Sequence, residues 1–521
     1  MTTLPRLRDD EGHGWFGPIK PRTTQRYQVP FLLLTDGYKV DHRRQYPVGT
    51  KRVFSNLTPR NGRDPRDNGV IFFGLRAALQ EYFVGYANET FFNRPVDEVC
   101  AEYAQAMLDY LGPNDIGTDH IRALHGLGFL PLRFDAVPEG MFIPYGVPVL
   151  TVENTIDEFF WVTNYIETLL SSLLWQATTS ATTAFKYRVL LELWAEDTGS
   201  PQEFVDWQGH DFSFRGMSSP QSAIYSGAGH LTAFTGTDTI PAIHHLKHYY
   251  DATGLIGGSV AATEHSVMCA GGENDELATF ERLLDLYPEG ILSVVSDTWN
   301  FWKVLTEIVP ALKDKILARN GKLVIRPDSG DPVKIVCGDP DAPKGSPERK
   351  GAVQLLWEIF GGTETEKGFN VLDSHVGVIY GDSITLDRCD DICGGLAENG
   401  FASCNMVFGI GSFTYQFNTR DTHGFAMKAT WAEGADGEHQ LFKDPVTGDG
   451  SKKSAKGRVG VRVVGGVPTL VDQMDYCEWE HMEDDLLETV WFNGVSWIEQ
   501  NLEDIRANVR AEVANVRSRD Y

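Results

Sequence analysis

From about residue 205 the chain keeps one rhythm of apolar and polar positions. A short aliphatic run leads to a polar or glycine-rich turn, and apolar residues three and four apart then follow. Residues 291–295 end in Ser296 and Asp297, after which Phe301, Leu305, Ile308, Leu312 and Ile316 mark one face of a helix. Asp297 stands where an N-cap belongs, and Pro310 predicts a bend in that helix rather than its end. Residues 322–325 have the aliphatic character of a buried parallel strand and stop at Arg326-Pro327-Asp328-Ser329-Gly330. Residues 376–380 stop at Gly381-Asp382-Ser383 and lead into a helix over 384–396, and residues 406–408 stop at Gly409-Ile410-Gly411-Ser412. Repeated strand–turn–helix units predict a parallel sheet, here a barrel rather than a doubly wound sheet.

The flanking segments follow other patterns. Residues 1–28 are polar and rich in Arg and Pro, which predicts a loosely held arm, and order begins at residues 31–34. Residues 61–68 read as a solvated loop and 71–112 as helical. Residues 131–153 read as short strands with turns at Pro138-Glu139-Gly140 and Tyr145-Gly146, and 160–174 as a long amphipathic helix. Beyond residue 412, residues 430–450 are polar with little periodicity, 452–458 are basic, and 459–470 read as a β-hairpin. Leu502, Ile505, Val509, Val513 and Val516 mark a C-terminal helix whose apolar face is expected to pack on the protein itself.

Composition narrows the class. A chain of 521 residues exceeds one small core and predicts two domains, and 42% apolar with 11% aromatic residues predicts a globular protein. A formal net charge of −26 argues against nucleic acid or an anionic membrane as partner. Any anion site must therefore be built locally from Arg, Lys or backbone amides. The seven cysteines are an odd number without a short-range framework, which predicts free thiols in a reducing compartment, and Cys389 and Cys393 read as thiols on one helix face. Residues 1–10 lack the apolar core of a signal peptide, and 159–175 is interrupted by Thr163, Asn164 and Glu167. The expectation is a cytoplasmic protein.

The turns after the strands hold the candidate chemistry: His210-Asp211-Phe212-Ser213-Phe214-Arg215-Gly216, Gly236-Thr237-Asp238-Thr239, Thr263-Glu264-His265-Ser266, Ser296-Asp297, Arg326-Pro327-Asp328, Gly381-Asp382 and Gly409-Ile410-Gly411. Arginines and glycine amides cradle phosphates, aspartates bind ribose hydroxyls or hold Mg²⁺ through water, and an aromatic ring stacks on a heterocycle. Together they suit transfer of a phosphorylated sugar. Taken singly, Phe212 and Tyr38 also read as core aromatics, His265 as a structural histidine, and the Arg326–Asp328 pair as an ion pair closing a surface turn.

YKVDHRRQYP, HDFSFRGMSS, GTDT, AATEHS, SVVSD, IRPDSGDP, GDS and FKDPV, in this order, resemble the nicotinamide phosphoribosyltransferases over nearly the whole chain. The resemblance implies a type II phosphoribosyltransferase fold: an irregular α/β barrel over 176–412, and an α+β domain built from 29–175 and 413–521. It implies a head-to-tail homodimer with shared active sites. The implied reaction joins nicotinamide to phosphoribosyl pyrophosphate, giving nicotinamide mononucleotide and pyrophosphate. Mg²⁺ would be held by substrate phosphates and water without direct protein ligands, and ATP would assist through a transient phosphohistidine.

By the same resemblance, Phe212 and the partner's Tyr38 would sandwich the pyridine ring, and Asp238 would accept from the carboxamide NH₂. Arg326 would contact the amide oxygen or pyrophosphate, and Ser293 would line the substrate pocket. Asp328 and Asp382 would bind the ribose hydroxyls, with Asp328 near the reacting carbon. Arg215 would bind pyrophosphate. Gly381, Gly411 and Ser412, with Arg420 and Lys428 from the partner, would hold the 5′-phosphate, and Lys443 and Lys452 match lysines near the phosphates. His265 would carry the phosphoryl group and Asp297 would orient its ring. Ser412 and Phe413 depart from the family's glycine-rich loop, and Ser383 replaces a glycine.

Rival expectations remain. Nicotinate phosphoribosyltransferase is the nearest, and Asp238 and the TEHS motif favour the amide. A catalytically silent signalling protein on the same scaffold would be expected to lack Asp238, His265, Arg326 or Asp328. A type I phosphoribosyltransferase would need a paired-acid strand end, whereas Asp390-Asp391 falls mid-helix, and no G-x-G-x-x-G follows a strand as a dehydrogenase would require.

Overall fold

The computed structural model describes residues 27–443 and 455–518. Seven parallel strands form one sheet: β1 (Gly209–Asp211), β2 (Gly236–Thr237), β3 (Ala261–Ala262), β4 (Glu289–Val295), β5 (Asn320–Arg326), β6 (Val376–Tyr380) and β7 (Met406–Ile410). Their order, β2-β1-β7-β6-β5-β4-β3, becomes cyclic because Gly258, just before β3, bridges Gly236 of β2 in parallel. The strands thus follow one another around an irregular barrel, and the carboxyl ends that carry the predicted turns gather on one rim. All five residues of β6 are buried, as expected of a parallel strand covered on both faces.

The helical region after β4 differs from its expectation. It runs as Phe301–Lys303, a π-turn at Val304–Ile308, Val309–Ala311 and, after a break at Leu312, Lys313–Leu317. The side chain of Asn300, not Asp297, accepts from Lys303 N as its cap. Asp297 is committed to the neighbouring turn, where Oδ2 accepts from Asp328 N at 3.0 Å and Ser329 Oγ at 2.6 Å.

A second seven-stranded sheet is antiparallel and draws on both ends of the chain. Its order is Gly437–Gln440, Ala426–Gly434, Arg52–Thr58, Leu150–Asn154, Leu132–Ala136, Glu488–Phe492, Val495–Ser496. The stretch 430–440, expected to be irregular, therefore belongs to a hairpin stabilised by pairing with a strand more than three hundred residues earlier. The hairpin expected over 459–470 is Arg458–Val464 with Val467–Met474, turning at Gly465 and Gly466, both of which have positive φ.

Between the two sheets runs one helix, Glu167–Thr198, much longer than the amphipathic helix expected over 160–174 and continuous through residue 175. Its middle is buried on most sides. Thr179, Thr182 and Thr183 donate to carbonyls four residues earlier, and Thr178 Oγ1 donates to Phe73 O at 2.9 Å. Those bonds let hydroxyls enter the core and erase the polar stripe that a sequence reading relies on. The C-terminal helix Leu502–Arg517 packs its Leu502, Ile505, Val509 and Val513 face on the core, as expected, and Cys389 and Cys393 are buried. Among the described residues no helix is long and apolar enough to cross a membrane.

Candidate active site

The rim of the barrel encloses a cavity of about 830 Å³. Phe212, Arg215, Asp238, Arg326, Asp328, Gly381, Asp382, Gly411 and Ser412 line it, so the turns after β1, β2, β5, β6 and β7 converge as their order predicts. Phe212, Asp238 and Arg326 also line a narrower, largely apolar cavity of about 390 Å³ that continues along the barrel strands past Ser293 and Val324. Ser293 Oγ is buried there without a hydrogen-bond partner among the described residues.

Phe212 leaves β1 with its amide bonded to Ile410 O at 3.0 Å, which fixes the ring against two glycines. A Cβ on Gly409 would lie 2.3 Å from the ring, and one on Gly381 2.9 Å. The guanidinium of Arg326 stands 5.5 Å from the ring centroid. Arg326 is 14% exposed, donates to Asp328 Oδ2 at 3.3 Å, and leaves Nε without a partner among the described residues. Gly409→Ala should therefore displace Phe212 and raise the KM for the ring-bearing substrate about tenfold or more, with the phosphorylated sugar's KM changed less; steady-state kinetics with each substrate varied will read this.

Asp238 accepts from His210 Nε2 at 3.1 Å and from Ser259 Oγ at 2.6 Å. Burial opposes its ionisation, but the hydrogen bond and charge of His210, the Ser259 hydroxyl and the Arg326 charge together hold its pKa below the ordinary carboxylate value. It therefore presents an anionic acceptor beside the Phe212 ring.

At the other end of the cavity, Ser383 adopts φ 52°, a left-handed conformation natural to glycine, and its carbonyl accepts from Arg388 Nη1 at 2.6 Å. Gly411 opens the helix Ser412–Tyr415, whose first amides lack intrahelical acceptors. Arg215 is brought beside this turn, because a Cβ on the adjacent Gly216 would meet Ser412 Oγ at 2.0 Å. Phe413 is 54% exposed and stacks on Phe417 at 5.8 Å, so its bulk lies at the rim.

His265 starts the helix His265–Cys269 with half its side chain exposed. Its Nε2 lies 3.9 Å from Asp297 Oδ1, an ion-pair distance rather than a hydrogen bond, and its Nδ1 lies 3.2 Å from Thr298 Oγ1. Asp297 is 4% exposed and its Oδ1 has no hydrogen bond among the described residues, so it is placed to receive a small shift of the imidazole. Thr298 was not legible as a ring partner, since a hydroxyl after an acidic residue has no distinctive spacing.

Tyr38, Arg420 and Lys428 do not line this cavity in the same chain. Tyr38 is 61% exposed and borders a groove with Met427 and Ala429, and Arg420 pairs with Asp421 at 3.1 Å. Burial and then the charges of Arg60 and Lys443 lower the pKa of Lys428. Arg60 thus joins a basic cluster that the sequence reading missed, for it sits in a loop far from both lysines in the chain. Lys452 lies outside the described residues. Among the described residues no group of three or more His, Cys, Asp or Glu side chains could hold a metal ion.

A model of the nicotinate phosphoribosyltransferase (NAPRTase) family matches residues 207–488, and one of the nicotinamide phosphoribosyltransferase N-terminal domain matches 30–121. The nicotinamide phosphoribosyltransferase of Acinetobacter baylyi is 51% identical over 503 residues, covering 94% of this chain and 99% of that protein. That of Mycoplasma pneumoniae is 36% identical over 441 residues, covering 82% and 94%. A solved nicotinate-nucleotide pyrophosphorylase from Pyrococcus furiosus matches with a TM-score of 0.56 at 16% identity, over 95% of this chain and 99% of that one, a likeness of fold alone. The chain has the type II phosphoribosyltransferase fold and belongs to the nicotinamide phosphoribosyltransferase family.

Proposed function

We propose that the chain transfers the phosphoribosyl group of phosphoribosyl pyrophosphate to nicotinamide, releasing nicotinamide mononucleotide and pyrophosphate in NAD salvage. The observation that carries this reading is the ionised Asp238 beside the Phe212 ring, with Arg326 across from it. Asp238 accepts from the carboxamide NH₂. A nicotinate carboxylate would meet it as a like charge with no donor, which supports amide over acid.

Displacement at the anomeric carbon has oxocarbenium-like character, so the residues act by holding geometry and neutralising charge. Phe212 orients the pyridine so that its ring nitrogen faces the ribose. Asp328 and Asp382, both lining the cavity, take the ribose hydroxyls, and Arg215 and Arg326 neutralise the departing pyrophosphate. Mg²⁺ bound with the substrate would supply further charge neutralisation, and Asp328 and Asp382 would receive it through its water shell. Gly381, Gly411 and Ser412 hold the 5′-phosphate. Tyr38, Arg420 and Lys428 reach the site from the partner of a homodimer in the cytoplasm, and Arg60 belongs with them. ATP transfers its γ-phosphoryl group to His265, releasing ADP, and water later removes the group as phosphate; Asp297 steadies the imidazolium.

The test is product formation from phosphoribosyl pyrophosphate and Mg²⁺ with nicotinamide or nicotinic acid, for wild type and Asp238→Ala. Nicotinamide mononucleotide from the amide alone, with the preference for amide narrowed about a hundredfold in the variant, is the expected result. Turnover of the acid by wild type would overturn the role given to Asp238. A folded protein that turns over neither would overturn the activity.

A further inference from the structure

The carboxylate of Asp238 is held from two directions by residues to which the reading above gives no role. His210 Nε2 at 3.1 Å and Ser259 Oγ at 2.6 Å both bond the same oxygen, Oδ1. The two donors come from separate parts of the barrel, since His210 lies in β1 and Ser259 in the segment that closes β2 onto β3. The Asp238 amide is tied to Asp211 O at 3.0 Å, so backbone and side chain are both anchored. We propose that His210 and Ser259 form a clamp that occupies Oδ1 and leaves Oδ2 as the single acceptor for the substrate's carboxamide, making His210 a positioning residue for selectivity. The inference rests on the reading of Asp238 as the carboxamide acceptor.

The need for a clamp follows from exposure. The Asp238 side chain is 47% exposed, so packing alone does not select one rotamer, whereas the His210 side chain is 9% exposed and fixed. Its ring lies 4.9 Å from that of Phe212. Its Nδ1 stands so close to Gly236 that a Cβ there would lie 2.7 Å away. The ring that stacks the substrate and the ring that aims its acceptor are therefore packed side by side. A bond from Nε2 also requires the proton on that nitrogen, which makes His210 a donor to the anion and keeps the anion a pure acceptor. A carboxylate with one oxygen saturated by donors has nothing to offer a second carboxylate. A free one could turn and share a water or proton with it, and so tolerate nicotinate.

The experiment compares wild type with His210→Phe, His210→Gln, Ser259→Ala and Gly236→Ala. His210→Phe keeps a ring and removes the donor. His210→Gln keeps an N–H near the place of Nε2. Gly236→Ala removes no hydrogen-bonding group but presses on the imidazole. The ratio of kcat/KM for nicotinamide over nicotinate should fall about tenfold or more in His210→Phe, with the nicotinamide KM raised and the phosphoribosyl pyrophosphate KM within about twofold. His210→Gln should restore most of the ratio, Gly236→Ala should lower it partway, and Ser259→Ala should lower it about threefold. An unchanged ratio in His210→Phe, or an equal rise in both KM values without rescue by Gln, overturns the clamp. Where a variant is inactive, calorimetric binding of nicotinamide and nicotinate decides, and an unchanged ratio of Kd values overturns it. Failure of the catalytic reading shows separately, as wild type that turns over neither base. Selective nicotinamide binding lost in His210→Phe would still support the clamp there, and wild type that binds neither base would overturn both.

Discussion

Arg326→Ala should lower kcat/KM for nucleotide formation by about 10²–10³-fold, the loss typical of removing one preorganised donor from a site where negative charge develops. Arg326 ends a strand buried on both sides, is 14% exposed, and keeps Nε free of protein partners among the described residues. It faces Phe212 at 5.5 Å and Asp328 at 3.3 Å, so it touches both halves of the site. With a formal net charge of −26, the chain's long-range field offers nothing in its place. Arg326→Lys should recover little, because an ammonium cannot reproduce the planar fork. Initial rates with each substrate varied, alongside circular dichroism to verify folding, will measure the loss. A kcat/KM within threefold of wild type would remove Arg326 from the mechanism.

The second large effect concerns stability. Arg458 is fully buried, with Nη1 donating to Glu153 Oε2 at 3.0 Å and Nη2 to the other carboxylate oxygen. Its guanidinium lies 4.0 Å from the Trp431 ring, 4.4 Å from Trp479, 4.7 Å from Tyr476 and 4.9 Å from Phe54. This cage joins the strands Arg52–Thr58, Leu150–Asn154 and Ala426–Gly434 to the hairpin that Arg458 begins. Arg458→Ala would strand the Glu153 carboxylate and open the aromatic box, so it should cost about 3–5 kcal/mol. Arg52, 3.7 Å from Glu153, can recover only part of that. Urea unfolding followed by tryptophan fluorescence should show an earlier midpoint for the domain carrying the cage. Removing both charges in Arg458→Met with Glu153→Leu should return most of the loss, because an apolar pair of similar volume replaces a buried ion pair well. A midpoint unmoved in Arg458→Ala would show that the cage contributes no net stability.

Much of the barrel rim was legible in the linear chain because each unit is local. A strand of a few aliphatic residues and the turn that ends it are neighbours in sequence, and parallel order around a barrel follows from chain order. Phe212, Asp238, Arg326, Asp328, Gly381 and Gly411 converge for that reason. Asp297 shows the limit of the same reasoning. Its position after a strand fits a cap, yet its carboxylate turns across to the next unit and Asn300 caps the helix instead. Period-based reading also stopped short in the helix Glu167–Thr198, where threonines bonded to their own backbone are buried as if apolar.

The sequence by itself determined the units of the barrel, the inventory of its turns and the resemblance that orders them, since these depend on residues within one strand–turn–helix step. Only the tertiary structure decided which donors bond Asp238, how far His265 stands from Asp297, and that the charges of Arg60 and Lys443 act on Lys428. It alone placed Arg458 against Glu153, 305 residues away. Those contacts join segments with no shared period or spacing, and for Arg458 with Glu153 the strength comes from burial and desolvation that exist only once the chain has folded.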